Sequence, residues 1–366
     1  MKLLITGGHL APALAVIEEL KKTKPNIDVI FVGRKYALDS EKTVSLEFKE
    51  INKRKIPFIP LQAGRLTRLL SLRSLRSLLR LPLGFFNALF IIRDQSPDIV
   101  LSFGGYLALP IVFWGYVFGV PVYTHEQTIK PGLANKVIGI FSKKIFVAFK
   151  ESKINFDVKK TIVTGNPVRQ SIFEIKKKPF LINKDRPVIY VTGGTLGSHS
   201  INEHIKNILK ELLKKYIVIH QIGDTKEYHD FENLSELKNK LPEDLQSRYF
   251  LVKHFFEDEI GYVYSLTDLV VGRSGANTFF ELVNLKLPAI FIPLPWASGK
   301  EQQFHAEIFA RNQTGEIFHQ IETSDKLMRI IDKMINNIES YKDNFKSLSY
   351  LYQKNVSQFI LKEIFK

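Results

Sequence analysis

The chain reads as an α/β protein built of two doubly wound domains, each with a parallel sheet. Two observations carry this reading. Short apolar runs, each followed by a polar turn and a helical stretch, recur along the 366 residues, and strands separated by helices form parallel sheets. The pattern then restarts near the midpoint. A second glycine loop, residues 193–198 (GGTLGS), follows an apolar run there, as Gly7-Gly8 follows the first run. A chain of this length is long enough to build two separate cores.

In the first half, strands are expected at residues 3–6, 29–32, 99–102, 122–124, 144–147 and 161–163, with a helix over about 11–22. The second half repeats the scheme with strands at 188–192, 217–221, 269–271 and 289–292, and a helix over about 200–214. The expected division is 1–165 and 166–345, with Gly165-Asn166-Pro167 near the hinge and a last helix over about 346–366 returning to the first domain. Ligands of such sheets bind beyond the strand carboxyl ends, here in a cleft between the domains.

Composition removes several classes of function. With no cysteine, disulfides, thiolate metal sites and cysteine nucleophiles are excluded. The start, MKLLITGGHLAP, meets a glycine pair at once and lacks the apolar core of a secretory leader, so a cytoplasmic location is expected. Residues 99–124 carry no charge, yet Gly104-Gly105, Pro110 and Pro121 divide them into strand, loop, helix and strand rather than a membrane span. The formal charge of +15 calls for an anionic partner: nucleic acid, phospholipid or a phosphorylated substrate.

The charge is concentrated. Residues 51–93 contain nine Lys or Arg and no Asp or Glu. Arg65, Arg68, Arg73, Arg76 and Arg80 lie among leucines, and Phe85, Phe86 and Phe90 follow. As a helix this is an imperfect amphipath, and Arg with Leu and Phe suits an anionic membrane surface better than a nucleic acid groove. A solvated loop is the plainer alternative. Residues 268–303 form a second informative block: a strand runs into Arg273-Ser274-Gly275-Ala276, a helix carries Glu281, and a second strand opens into a polar loop ending Gln302-Gln303. A glycine turn at a helix start offers unpaired N–H groups to phosphate or sugar oxygens, and a carboxylate just inside can accept from ribose hydroxyls. Either glycine loop alone also fits a dehydrogenase.

Several motifs, in this order, resemble one family. They are Thr6-Gly7-Gly8-His9 with Pro12, Gly104-Gly105-Tyr106, His125-Glu126-Gln127, Gly132-Leu133 with Asn135-Lys136, and Gly165-Asn166-Pro167-Val168-Arg169. Gly193-Gly194-Thr195 with Gly197, His220-Gln221, Arg273-Ser274-Gly275-Ala276 with Glu281, and Gln302-Gln303 complete the set. The chain resembles the peptidoglycan N-acetylglucosaminyltransferase family commonly called MurG, over nearly its whole length. The resemblance implies two Rossmann-like domains facing each other (the GT-B fold). It also implies inverting transfer of N-acetylglucosamine from UDP-N-acetylglucosamine to undecaprenyl-pyrophosphoryl-N-acetylmuramyl-pentapeptide, at the cytoplasmic face of the membrane. No metal, cofactor or nucleic acid is expected. The family's usual residues are replaced at Leu4, Ile5, Thr128, Leu196 and His199.

The resemblance also implies roles. On the donor side, Glu281 takes the ribose, Gln302 and Gln303 the sugar hydroxyls, Ala276 offers an N–H, and Phe255 or Phe256 packs on uracil. Thr128, Arg169 and Thr195 join this set. Acceptor contacts fall to Gly7, Gly8, His9, Gly104, Gly105, Tyr106, Glu126 and Asn135. His9 is the candidate base, with helix capping or pyrophosphate binding as its alternatives. His125 and Glu126 serve a structural network or the chemistry itself. Rival readings are a glycosyltransferase acting on another lipid such as diacylglycerol, a UDP-N-acetylglucosamine 2-epimerase, and a non-catalytic nucleotide-sugar or nucleic-acid binding protein.

Overall fold

The computed structural model describes residues 1–36, 44–61, 81–194, 196–223, 227–296, 300–352 and 355–366. Two compact units emerge, Met1–Arg169 with Gln353–Lys366, and Gln170–Tyr352.

The first unit contains strands β1 (Lys2–Thr6), β2 (Asp28–Gly33), β3 (Phe58–Pro60), β4 (Ile99–Ser102), β5 (Val122–Glu126), β6 (Lys144–Val147) and β7 (Thr161–Val163). They form one parallel sheet in the order β3-β2-β1-β4-β5-β6-β7. Its helices include α1 (Leu10–Thr23), α2 (Leu46–Lys53), α3 (Leu81–Gln95), α4 (Ala108–Val117) and α5 (Leu133–Phe141). A strand covered on both faces must be apolar at every position. In β1, successive side chains point to opposite faces. Leu3 and Ile5 therefore join a cluster with Val16 and Ile17 of α1, and Leu4 joins the opposite one with Ile111 of α4. The C-terminal helix Val356–Ile364 adds Ile360, Leu361 and Ile364 to the α1 cluster, and Gln358 Nε2 donates to Glu19 Oε1 at 2.8 Å.

The second unit repeats the plan with β8 (Val188–Thr192), β9 (Ile217–Gln221), β10 (Tyr249–Val252), β11 (Leu269–Gly272), β12 (Ala289–Phe291) and β13 (Gly315–Ile317). The order is β10-β9-β8-β11-β12-β13, again parallel. Its helices include α6 (His199–Lys215), α7 (Asp230–Asn239), α8 (Ile260–Leu266), α9 (Ala276–Leu285) and α10 (Glu301–Arg311). In both sheets the chain direction across the sheet reverses at the first strand, between β1 and β4 and between β8 and β11. Such a switch point leaves a crevice at the strand carboxyl ends, where ligands of this architecture bind.

Residues 99–124 fold as β4, a loop, α4 and β5, and no helix among the described residues is long and apolar enough to cross a membrane. The structure adds the edge strands β3, β10 and β13, each only three or four residues long; β3 and β13 lack a distinct apolar run, whereas β10 (Tyr249-Phe250-Leu251-Val252) is apolar throughout but short.

Candidate functional site

In the first unit, β1 ends at Thr6 and the chain turns through Gly7, Gly8 and His9 into α1, while β4 continues as Gly104-Gly105-Tyr106. These loops touch backbone to backbone. A Cβ on Gly8 would lie 2.1 Å from the Gly104 carbonyl oxygen, and Gly104 itself adopts φ +80°, so neither position tolerates a side chain. The Gly7 N–H donates to Val32 O at 2.8 Å and the His9 N–H to Phe103 O at 3.2 Å, which ties the turn to both neighbouring strands.

Glu126 ends β5 and is 1% exposed. Its Oε1 accepts from the Thr128 N–H and hydroxyl, both at 2.8 Å, and its Oε2 from Asn135 Nδ2 at 2.5 Å. Asn135 Oδ1 in turn accepts the Gly105 N–H at 2.7 Å. A buried carboxylate is stable only when its oxygens are satisfied, and this one spends them on holding the second glycine loop. His125, beside it, donates from Nε2 to Gly165 O at 3.1 Å, and burial lowers its pKa to about 4, so it is neutral at pH 7.

His9 stands at the N-cap of α1, where its side chain makes no capping bond. Its Nδ1 instead lies 2.6 Å from Gln127 Nε2. Burial lowers the His9 pKa, opposed by the nearby Glu126 charge. Two neighbours carried no signal in the sequence. Glu47, in α2, presses its carboxylate against Gly7 and Gly33 and accepts the Arg34 N–H at 2.9 Å, with burial raising its pKa. The Arg34 guanidinium lies over the Tyr106 ring at 6.0 Å.

In the second unit, the turn after β8 is anchored by Gly197 at φ +82°, where a Cβ would meet Ile222 O at 1.9 Å. Arg273 follows β11 and turns inward. Its Nη1 donates to Ile292 O at 2.9 Å, and its Nη2 to Ser198 Oγ, Ser200 Oγ and Gln320 Oε1 at 2.7, 3.0 and 3.0 Å. It therefore clamps the start of α6 to the end of β12. Gly275 caps α9 with open space on its Cβ side, and no side chain caps that helix. Glu281 lies in the second turn of α9, 5% exposed, with Tyr264 Oη of α8 donating to its Oε2 at 2.8 Å.

The two phenylalanine candidates separate. Phe255 is buried and packs on Phe180 and Tyr190 at 6.0 and 6.1 Å, whereas Phe256 is 56% exposed. One expectation is corrected: Gln302 and Gln303 are not in a loop but in the first turn of α10, whose start follows Lys300 in a left-handed conformation. Gln302 Oε1 accepts the Leu294 N–H at 3.0 Å, and Gln303 Nε2 donates to Glu307 at 3.1 Å. His199, first in α6, pairs through Nδ1 with Asp230 Oδ1 at 2.7 Å, and Asn202 donates to the other oxygen at 2.6 Å. Among the described residues, His199, Glu203 and Asp230 are the group whose geometry could hold a cation.

Thr128 and Arg169 lie in the first unit, and Ala276 opens α9. Thr195 and the arginines Arg65, Arg68, Arg73, Arg76 and Arg80 lie outside the described residues. Phe85 packs on Phe113 at 5.5 Å and its carbonyl accepts Trp114 Nε1–H at 2.7 Å, so it is largely a helix-packing residue. Phe86 is exposed, with Leu83 and Phe90 on the same helix and Tyr116, Val117 and Phe118 at the end of α4.

Residues 6–147 match the glycosyltransferase family 28 N-terminal domain, and residues 188–358 the corresponding C-terminal domain. A UDP-N-acetylglucosamine–N-acetylmuramyl-(pentapeptide) pyrophosphoryl-undecaprenol N-acetylglucosamine transferase of Bacillus cereus is 32% identical over 356 residues, 94% of each chain. The crystal structure of MurG from Acinetobacter baumannii superposes with a TM-score of 0.71 at 23% identity, covering 100% of this chain and 99% of that one. The UDP-GlcNAc 2-epimerase of Neisseria meningitidis, bound to UDP-GlcNAc, has a TM-score of 0.64 at 15% identity over the whole of both chains. At those two identities the likeness is one of fold, which transferase and epimerase share, and it is the sequence relationship that separates them. The chain belongs to glycosyltransferase family 28, among the N-acetylglucosamine transferases that include the Bacillus cereus enzyme.

Proposed function

We propose that this enzyme transfers N-acetylglucosamine from UDP-N-acetylglucosamine to the muramyl sugar of undecaprenyl-pyrophosphoryl-N-acetylmuramyl-pentapeptide, inverting the anomeric carbon. The observation that carries this reading is the family relationship over 94% of the chain, joined to two switch points that each present a glycine loop. The first unit takes the acceptor. The Gly7-Gly8 turn and the start of α1 receive its pyrophosphate, and His9, held neutral by burial, removes the proton of the attacking hydroxyl. Gly104, Gly105 and Tyr106 line the same side, with Glu126 and Asn135 holding them in place.

The second unit takes the donor. Glu281 accepts the ribose hydroxyls, Phe256 packs on uracil, and Ala276, Gln302 and Gln303 meet the sugar. Charge grows on the departing UDP as the glycosidic bond breaks, and groups that bind that charge better in the transition state raise the rate. In this reading the glycine turn that leads into α6 supplies N–H donors for that charge, and Arg169 adds positive charge. One well-aimed donor of this kind lowers the barrier by about 3–4 kcal/mol.

The membrane is met by the exposed Leu83, Phe86, Phe90, Tyr116, Val117 and Phe118 of the first unit, next in sequence to the arginine-rich segment. Each basic residue near an anionic leaflet contributes about 1 kcal/mol. The purified protein, UDP-N-acetylglucosamine and a short-chain lipid-linked muramyl-pentapeptide acceptor test the reading directly. UDP release that depends on this acceptor is expected. Release with diacylglycerol instead, or 2-epimerised sugar without any acceptor, would overturn it.

A further inference from the structure

We propose that Gln127 is the positioning residue of His9: its carboxamide oxygen accepts the imidazole Nδ1–H and leaves Nε2 as the basic nitrogen. This rests on His9 acting as the base. β4 lies between β1 and β5, and where it continues as Gly104-Gly105 it carries no side chains. Gln127, just past β5, reaches across that gap to stand 2.6 Å from His9 Nδ1 although 118 residues separate them in sequence. It is 6% exposed, so the contact is shielded from competing water.

A neutral imidazole has one lone pair, and which nitrogen carries it depends on the hydrogen bond made by the other. With the Gln127 amide nitrogen against Nδ1, that lone pair is consumed and Nε2 carries the proton. The Gln127 oxygen is buried and has no hydrogen-bond partner among the described residues. A half-turn of the carboxamide exchanges its two atoms, gives the oxygen the Nδ1–H as partner, and frees Nε2 to take the acceptor's proton. The logic is that of catalytic triads, in which a third group orients the base.

A neutral orienting group also matters. A carboxylate at that place would raise the imidazole pKa. The carboxylate beside it, Glu126, has both oxygens engaged by Thr128 and Asn135 and acts on His9 only through space. Among the described residues, other charged or titratable groups around the loop are His125 behind it, Glu47 against Gly7, and Arg34 over Tyr106.

The tests are Gln127→Glu and Gln127→Leu in the full-length protein. Nitrogen-15 NMR of labelled histidines, with His9 assigned by the signal lost in His9→Ala, reads tautomer and pKa without requiring turnover. The wild type is expected to carry its proton on Nδ1 and the Leu variant to lose that bias. The Glu variant is expected to titrate about 1–3 pH units higher. In the UDP-release assay, Gln127→Leu should lower kcat about 10²-fold, within the range of general base effects, with an unchanged KM for UDP-N-acetylglucosamine. Gln127→Glu should move the acid limb of the pH profile upward. A wild-type proton on Nε2, or a tautomer and acid limb indifferent to residue 127, overturns the proposal. Should His9→Ala turn over like wild type, the base reading fails instead, and the NMR result still decides whether Gln127 sets the ring.

Discussion

Arg273 offers a prediction in which two opposed terms can be weighed. Arg273→Met keeps an unbranched apolar stem of similar reach and deletes the guanidinium with its four hydrogen bonds, to Ile292 O, Ser198, Ser200 and Gln320. Hydrogen bonds to a charged group contribute about 1.5 kcal/mol each at the low end, or about 6 kcal/mol together. Against this, burial pulls the Arg273 pKa down to about 10, a displacement that opposes the charged form by about 3 kcal/mol. The difference predicts that Arg273→Met destabilises the second unit by about 3 kcal/mol, and Arg273→Lys by less because an ammonium recovers part of the set. Because two of the lost partners stand at the start of α6, UDP affinity should fall as well. Urea unfolding read from the second unit, with calorimetric titration of UDP, measures both. A Met variant of wild-type stability and UDP affinity would refute the clamp.

Other outcomes follow from the same geometry. Glu281→Ala should raise the KM for UDP-N-acetylglucosamine strongly and Tyr264→Phe mildly, since the phenol only orients the carboxylate, through a 2.8 Å bond; equal effects would contradict that hierarchy. Replacing Leu83, Phe86 and Phe90 by Ser should reduce sedimentation with anionic vesicles without lowering UDP affinity, and undiminished sedimentation would remove the apolar patch from membrane docking. Stability should depend on pH through buried histidines. His125, His220 and His305 have pKa values lowered by burial to about 4, 3 and 4, whereas the unfolded chain titrates near 6.5. Their folded values are depressed, so stability is complete above about pH 6.5 and declines as pH falls toward 4, by up to about 4 kcal/mol per pH unit over both units. Unfolding free energies between pH 4.5 and 7.5 check this (a range set by the titrations), and His220→Gln should remove about a third of the slope.

Much of the fold is legible in the sequence because fully buried parallel strands demand unbroken apolar runs. Residues 188–192 and 217–221 are buried at every position, and glycine loops punctuate them where a side chain would collide with backbone. Short edge strands such as β3 escape because one side faces solvent and the pattern dissolves. The start of α10 escapes because Lys300, not a glycine or a capping residue, makes the left-handed turn before it. Within the site, motif residues such as Gly8, Gly104 and Glu281 could be named from the chain alone, but their partners could not.

Local pattern thus determined what each segment becomes: the alternation of strand and helix, the two glycine loops, and the chemistry each loop can offer. Tertiary structure decided which side chains meet. Gln127 against His9, Glu126 spent on Asn135, Phe255 sunk in the core while Phe256 stays outside, and Arg273 drawn into a clamp all depend on contacts between residues distant in the chain. Periodicity reports which face of a segment is buried, not what lies opposite it, and the charge, tautomer and availability of a polar group are set by what lies opposite.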